Sequence, residues 1–104
     1  MKKVPLKVVP IDNNLLNYRN ELITVFQSPA DRNKGADVEE MRRSIRVLDA
    51  LDRAGDPDEL GQITIMDLED ADFAYFVERV TKAKFGIVHR RIVEFIEEVT
   101  KGEV

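Results

Sequence analysis

Arg79, Lys82, Lys84, His89, Arg90 and Arg91 lie within thirteen residues that contain no acid. Cations in this density attract phosphate, and a basic turn between two helices is one way a protein reaches DNA. Two features oppose that use. Glu94, Glu97 and Glu98 follow on the next helix and would face phosphates in a groove, and the chain as a whole carries a net charge of −4. DNA-binding modules are usually basic overall. A protein-facing or solvated patch is the better reading, and a nucleic-acid-binding regulator using residues 79–91 is the alternative.

Two acidic groupings raise the question of a metal. Asp67, Glu69, Asp70 and Asp72 crowd the start of a predicted helix. Successive helical residues fan out by about 100°, so these carboxylates do not converge. The helix dipole favours negative charge there without a cation. Asp56, Asp58, Gly61, Ile63 and Asp67 follow the spacing of a calcium loop. Leu60 stands where an oxygen ligand is needed, and Asp67 replaces the bidentate glutamate. The set is short of oxygens, and a helix–turn–strand junction is the simpler reading.

Material for catalysis is sparse. Ser28 precedes a proline, Ser44 falls in mid-helix, and His89 is the only histidine. No glycine-flanked nucleophile or phosphate-cradling glycine loop surrounds them. The absence of cysteine excludes a disulfide framework, a thiolate zinc site and a cysteine nucleophile. No cofactor is predicted and no enzyme activity is expected.

The elements that position these groups follow from hydrophobic periodicity. Val4, Leu6 and Val8 alternate with their neighbours, a strand over 3–9 that Pro5 and Pro10 confine to an edge. Asp12, Asn13 and Asn14 read as N-caps of a helix over 14–27, with Leu15, Leu22 and Phe26 inward. Asp37, with Glu40 three residues on, opens a second helix over 37–54 that Gly55 ends. Its buried stripe is predicted as Met41, Ile45, Leu48 and Leu51, with Val38 and Val47 flanking. Residues 62–66 form a short strand, and Asp67 caps a third helix over 68–83. A fourth helix over 87–100 buries Val88, Ile92, Phe95, Ile96 and Val99, with Phe76 and Val80 facing it from the third.

The predicted fold is α+β, mainly α: four helices and a two-stranded sheet in the order β-α-α-β-α-α. One domain is expected over the 104 residues, with 1–11 as a strand or arm and 12–104 as a helical body. A hydrophobic fraction of 43% with 35% charge excludes a disordered chain. No apolar run approaches the ~20 residues of a bilayer span. No secretion signal follows Met1-Lys2-Lys3, so a cytoplasmic location without membrane contact is expected. The apolar breadth of the fourth helix and the open edges of a small sheet predict a homo-oligomer through that helix, the first strand or both.

Three segments carry a resemblance: DVEEMRRSIRVLDALD over Asp37–Asp52, ITIMDLEDADFAYF over Ile63–Phe76, and the ending IVEFIEEVTKG. Together they resemble small tail-assembly and morphogenesis proteins of tailed bacteriophages and prophages. The resemblance implies a non-enzymatic assembly role, in the host-cell cytoplasm, with a protein partner.

Overall fold

Pro5 and Pro10 both lie inside the longest strand of the protein, β1 (Lys2–Ile11), in the computed structural model, which describes residues 1–102. Strand β2 (Asn14–Asn17), helices α1 (Tyr18–Gln27) and α2 (Val38–Ala54), strand β3 (Ile63–Leu68), and helices α3 (Asp70–Lys82) and α4 (Arg90–Thr100) follow. About half the chain is helical. The α+β class holds, but the sheet is three-stranded and antiparallel in the order β2-β1-β3. The order of elements is therefore β-β-α-α-β-α-α rather than β-α-α-β-α-α.

The prolines fit because the two halves of β1 pair on opposite sides. Residues 2–7 pair with β3, Lys2 opposite Leu68 and Lys7 opposite Ile63. Residues 8–11 pair with β2, Val8 opposite Asn17 and Ile11 opposite Asn14. The N–H of Lys3 points away from β3 and donates to the Gly102 carbonyl at 3.4 Å. By the two-residue alternation, the nitrogen of Pro5 points the same way, outside the ladder. The nitrogen of Pro10 points to the other side, where β3 has already ended. β1 is thus central in the order while behaving as an edge along each half, which corrects its assignment to a sheet edge.

The first predicted helix begins four residues late. Asp12 and Asn13 make a two-residue hairpin turn, with Asp12 at φ 50°, a conformation aspartate tolerates better than most residues. Residues 14–17 then return as β2, which buries Leu16 and exposes Leu15. The N-cap of α1 is Asn17, whose side chain accepts from the N–H of Asn20 at 3.2 Å.

The bounds of α2 match the prediction closely, but its faces do not. Asp37 caps it through the N–H of Glu40 at 2.8 Å, and Gly55 ends it at φ 83°. The buried face is Ser44, Val47, Ala50 and Leu51. Met41 and Ile45, predicted to be core, are half exposed at 50% and 52%, and Val38 reaches 61%. Leu48 is half-buried. The small residues Ser44 and Ala50 bring α2 close to β3, α1 and α3.

The core consists chiefly of Val4, Leu6, Tyr18, Leu22, Phe26, Val47, Leu51, Met66, Phe76, Val80, Phe95 and Val99. Phe26 stacks on Phe76 at 5.5 Å, and Tyr18 meets Phe95 at 4.7 Å. Helix α4 starts three residues later than predicted. Ile87 and Val88 therefore precede it and are exposed, while α4 buries Ile92, Phe95 and Val99 and leaves Val93 outside. The excess apolar breadth assigned to this helix is thereby reduced to Val93. Strand β3 runs to Leu68 and includes Asp67, so the N-cap of α3 is Glu69, not Asp67.

At the chain's far end Gly102, at φ 71°, lies against β1 and the ring of Phe73. A Cβ there would meet Phe73 Cζ at 2.9 Å.

Candidate functional site

Arg79 lies three residues beyond Phe76 on the inward stripe of α3, and only 7% of it is exposed. Its guanidinium donates to four acceptors. Nη1 reaches Tyr75 Oη at 2.7 Å and Ser44 Oγ at 3.1 Å. Nη2 reaches the carbonyls of Ser28 at 2.7 Å and Val25 at 2.9 Å. The rings of Phe26 and Tyr75 lie 5.3 and 5.7 Å from the guanidinium carbon. Among the described residues no carboxylate pairs with it. The charge is met by hydroxyls, backbone carbonyls at the end of α1, and ring faces. Ser44 and Tyr75 also bond each other at 2.8 Å. One side chain thereby joins the end of α1, the middle of α2 and the inner face of α3.

Above this clamp lies a groove of about 490 Å³, between the end of α1, Pro29 and Ala36 of the connecting loop, and α2. Phe26, Ser28 and Ser44, which touch Arg79, form part of its lining, and Met41, Ile45 and Leu48 form its α2 wall. Glu40 is the one charged side chain in the lining, and its carboxylate accepts from the N–H of Ala30 at 3.5 Å. Val38, Met41 and Ile45 continue from the groove onto the open surface of α2. A contiguous apolar ridge beside a concave wall is the surface pattern of a protein-docking site.

The basic cluster does not survive as a unit. Arg79 is inside the fold. Lys82 pairs with Glu78 at 3.3 Å and Arg91 with Glu94 at 3.2 Å. His89 caps α4, its Nδ1 accepting from the N–H of Arg91 at 3.0 Å. That bond leaves the ring proton on Nε2, which faces Asp12 Oδ1 at 3.2 Å and ties the hairpin turn to α4. Of the six groups, Lys84 and Arg90 alone have no ion-pair partner or buried role among the described residues.

The acidic groupings are likewise divided among separate cations. Asp67 pairs with Lys3 at 2.7 Å, Asp70 with the N-terminal amine at 3.6 Å, and Asp72 with Arg46 at 2.9 Å. Asp56 accepts from Asn17 Nδ2 at 3.0 Å, while Asp67 lies on β3, so the calcium-loop spacing gives no converging ligand set. Among the described residues no three acidic or imidazole side chains gather as a metal site. A second cleft, of about 530 Å³, between α2 and β3 is lined by both signs of charge, Arg46 and Arg53 against Asp49, Asp67, Glu69 and Asp72.

Where α1, β1 and α4 meet, Tyr18 Oη donates to Glu98 Oε1 at 2.9 Å, and Lys7 pairs with Glu98 Oε2 at 2.6 Å. Burial, then the bond to Glu98 and the charges of Glu98 and Glu94, push the Tyr18 phenol well above its ordinary range.

The groove is not legible in the sequence, because the spacing of Met41 and Ile45 predicts core positions and the basic neighbours of Arg79 predict a surface one. The spacing of Arg79 from Phe76 and Tyr75 was the available signal, since all three fall on neighbouring positions of α3. No helix among the described residues is long and apolar enough to cross a membrane. No protein-family model, curated protein or solved structure matches the chain.

Proposed function

We propose that the chain is a non-catalytic protein-binding domain whose partner docks on the α2 groove. The observation that supports this most is the ridge of Val38, Met41 and Ile45, large apolar side chains held outward on a well-capped helix. Burying the exposed part of three such residues gains several kcal/mol at about 25 cal/mol per Å². Leaving them in water has no benefit to the fold. The setting we propose is assembly of a phage or prophage tail, on the strength of the resemblance in residues 37–52, 63–76 and the C-terminal helix. The nucleic-acid alternative would rest on Lys84, Arg90 and the remaining partly neutralised groups.

Site-specific photo-crosslinking in cells tests the docking surface. A photoreactive side chain at Met41 is compared with one at Thr24, an exposed position on α1. Adducts found at position 41, missing at position 24 and lost on Ile45→Glu are the expected result. Equal adducts at both positions, or adducts that survive Ile45→Glu, would refute the assignment of the groove.

A further inference from the structure

We infer that the α2 ridge is a self-docking surface, on which a second copy of this chain packs its own α2 antiparallel to the first. The inference rests on the reading of the groove as a protein-binding site and names the partner. Its basis is the charge pattern along one border of the ridge.

Val38, Met41, Ile45 and Leu48 recur at three- and four-residue spacing and form a seam along α2. Arg42 and Asp49 are seven residues apart and therefore lie on the same side of that seam, two turns from each other. Both are exposed, and neither has an ion-pair partner among the described residues. Of the other charges on α2, Arg43 pairs with Glu39 at 3.0 Å, Arg46 with Asp72 at 2.9 Å and Asp52 with Arg19 at 3.2 Å, while Glu40 lines the groove on the opposite side of the seam and accepts from the N–H of Ala30 at 3.5 Å.

A two-fold interface requires a patch that complements itself. Two α2 helices running antiparallel, with the axis crossing between Ile45 and Leu48, set Ile45 of each against Leu48 of the other. The same operation keeps each border of the seam on its own side while reversing its direction. Arg42 of one copy then lies beside Asp49 of the other, and the pair occurs twice. A parallel arrangement would instead set this border against the opposite border of the other copy, so that Arg42 and Asp49 would not meet across the seam. The one border thus favours the antiparallel orientation by attraction. The small-residue face of α2 stays in its own core, so self-docking needs no rearrangement of the monomer.

Sedimentation velocity of the whole chain, from low micromolar to hundreds of micromolar, measures the association. Five proteins are compared: the parent, Ile45→Glu, Arg42→Asp, Asp49→Arg, and the double exchange Arg42→Asp/Asp49→Arg. Helical circular dichroism and melting confirm that each is folded, which the exposure of all three positions predicts. The expected result is a parent dimer that Ile45→Glu abolishes. Each single charge reversal should weaken the dimer by about tenfold or more, and the double exchange should restore it. A parent that stays monomeric throughout overturns the inference, as does a dimer that ignores Ile45→Glu or that the double exchange fails to rescue. A monomeric parent that still gives position-41 adducts with a different protein would overturn self-docking while leaving the groove as a binding site.

Discussion

Replacing Arg79 by methionine should destabilise the domain by about 2–4 kcal/mol, although methionine fills similar space and needs no buried charge. The magnitude follows from what the guanidinium holds. Ser44 and Tyr75 keep their mutual bond at 2.8 Å when the arginine is gone, so the two hydroxyls lose little. The Ser28 carbonyl loses its donor at 2.7 Å, while the Val25 carbonyl loses one at 2.9 Å and keeps the N–H of Ser28 at 3.4 Å. A buried acceptor left without a donor costs about 1–3 kcal/mol, with the lower half fitting the partly buried Ser28 carbonyl, and the hydrogen bond lost at Val25 adds about 1 kcal/mol. Loss of the cation over the faces of Phe26 and Tyr75 adds about 1 kcal/mol. Release of the arginine's desolvation cost offsets part of the total, which is why the sum is held to this range. Urea unfolding measures it, with the slope of the transition checked for constancy. In a domain of this size the same change lowers the melting temperature by roughly 10–25 °C. Arg79→Lys should lie in between, because one ammonium cannot span four acceptors on three elements. If Arg79→Met unfolds within about 0.5 kcal/mol of the parent, the clamp contributes nothing net and this account of the residue is wrong.

Tyr18 makes the fold sensitive to alkali. Its phenol titrates higher in the folded state than the ordinary value of about 10, so its contribution is complete below that pH and is lost as pH rises toward the folded value. The stability of the parent should therefore fall more steeply above about pH 10 than that of Tyr18→Phe, by up to ~1.4 kcal/mol per pH unit; parallel curves would refute the linkage. Phe95→Ala, which empties a fully buried position, should cost about 3–5 kcal/mol, whereas Ile45→Ala should change stability by less than about 1 kcal/mol. Equal losses in a thermal melt would mean that α2 is turned the other way. Gly102→Ala should lower the melting temperature by several degrees, about 1 kcal/mol or more, because its Cβ would meet the Phe73 ring at 2.9 Å and its φ is 71°. An unchanged melt would show that the chain end does not hold this position against β1.

Sequence periodicity and local chemistry determined a great deal. The bounds of α2 were legible because Asp37 and Gly55 act within one turn of where they stand, and capping depends on neighbouring backbone alone. The presence of three further helices and of strands near residues 3–9 and 62–66 was legible for the same reason, since amphipathic spacing is a local property. Only the tertiary structure decided which way α2 faces. Its large residues Met41 and Ile45 rank above Ser44 and Ala50 on any scale of hydrophobicity, but the close approach of β3, α1 and α3 admits the small ones. The register of β1 was also a tertiary matter. Two prolines read as an edge until a strand pairs with different partners along its two halves. The hairpin at Asp12 and Asn13 was hidden because the same residue types cap helices and make turns, and the choice depends on whether a partner strand is present. Arg79 shows the difference most clearly. Its sequence neighbours placed it in a basic surface cluster, while the fold brought two hydroxyls and two carbonyls from α1, α2 and α3 to its guanidinium. Burial of a charge is decided by such non-local acceptors, and they exist only once the chain has folded.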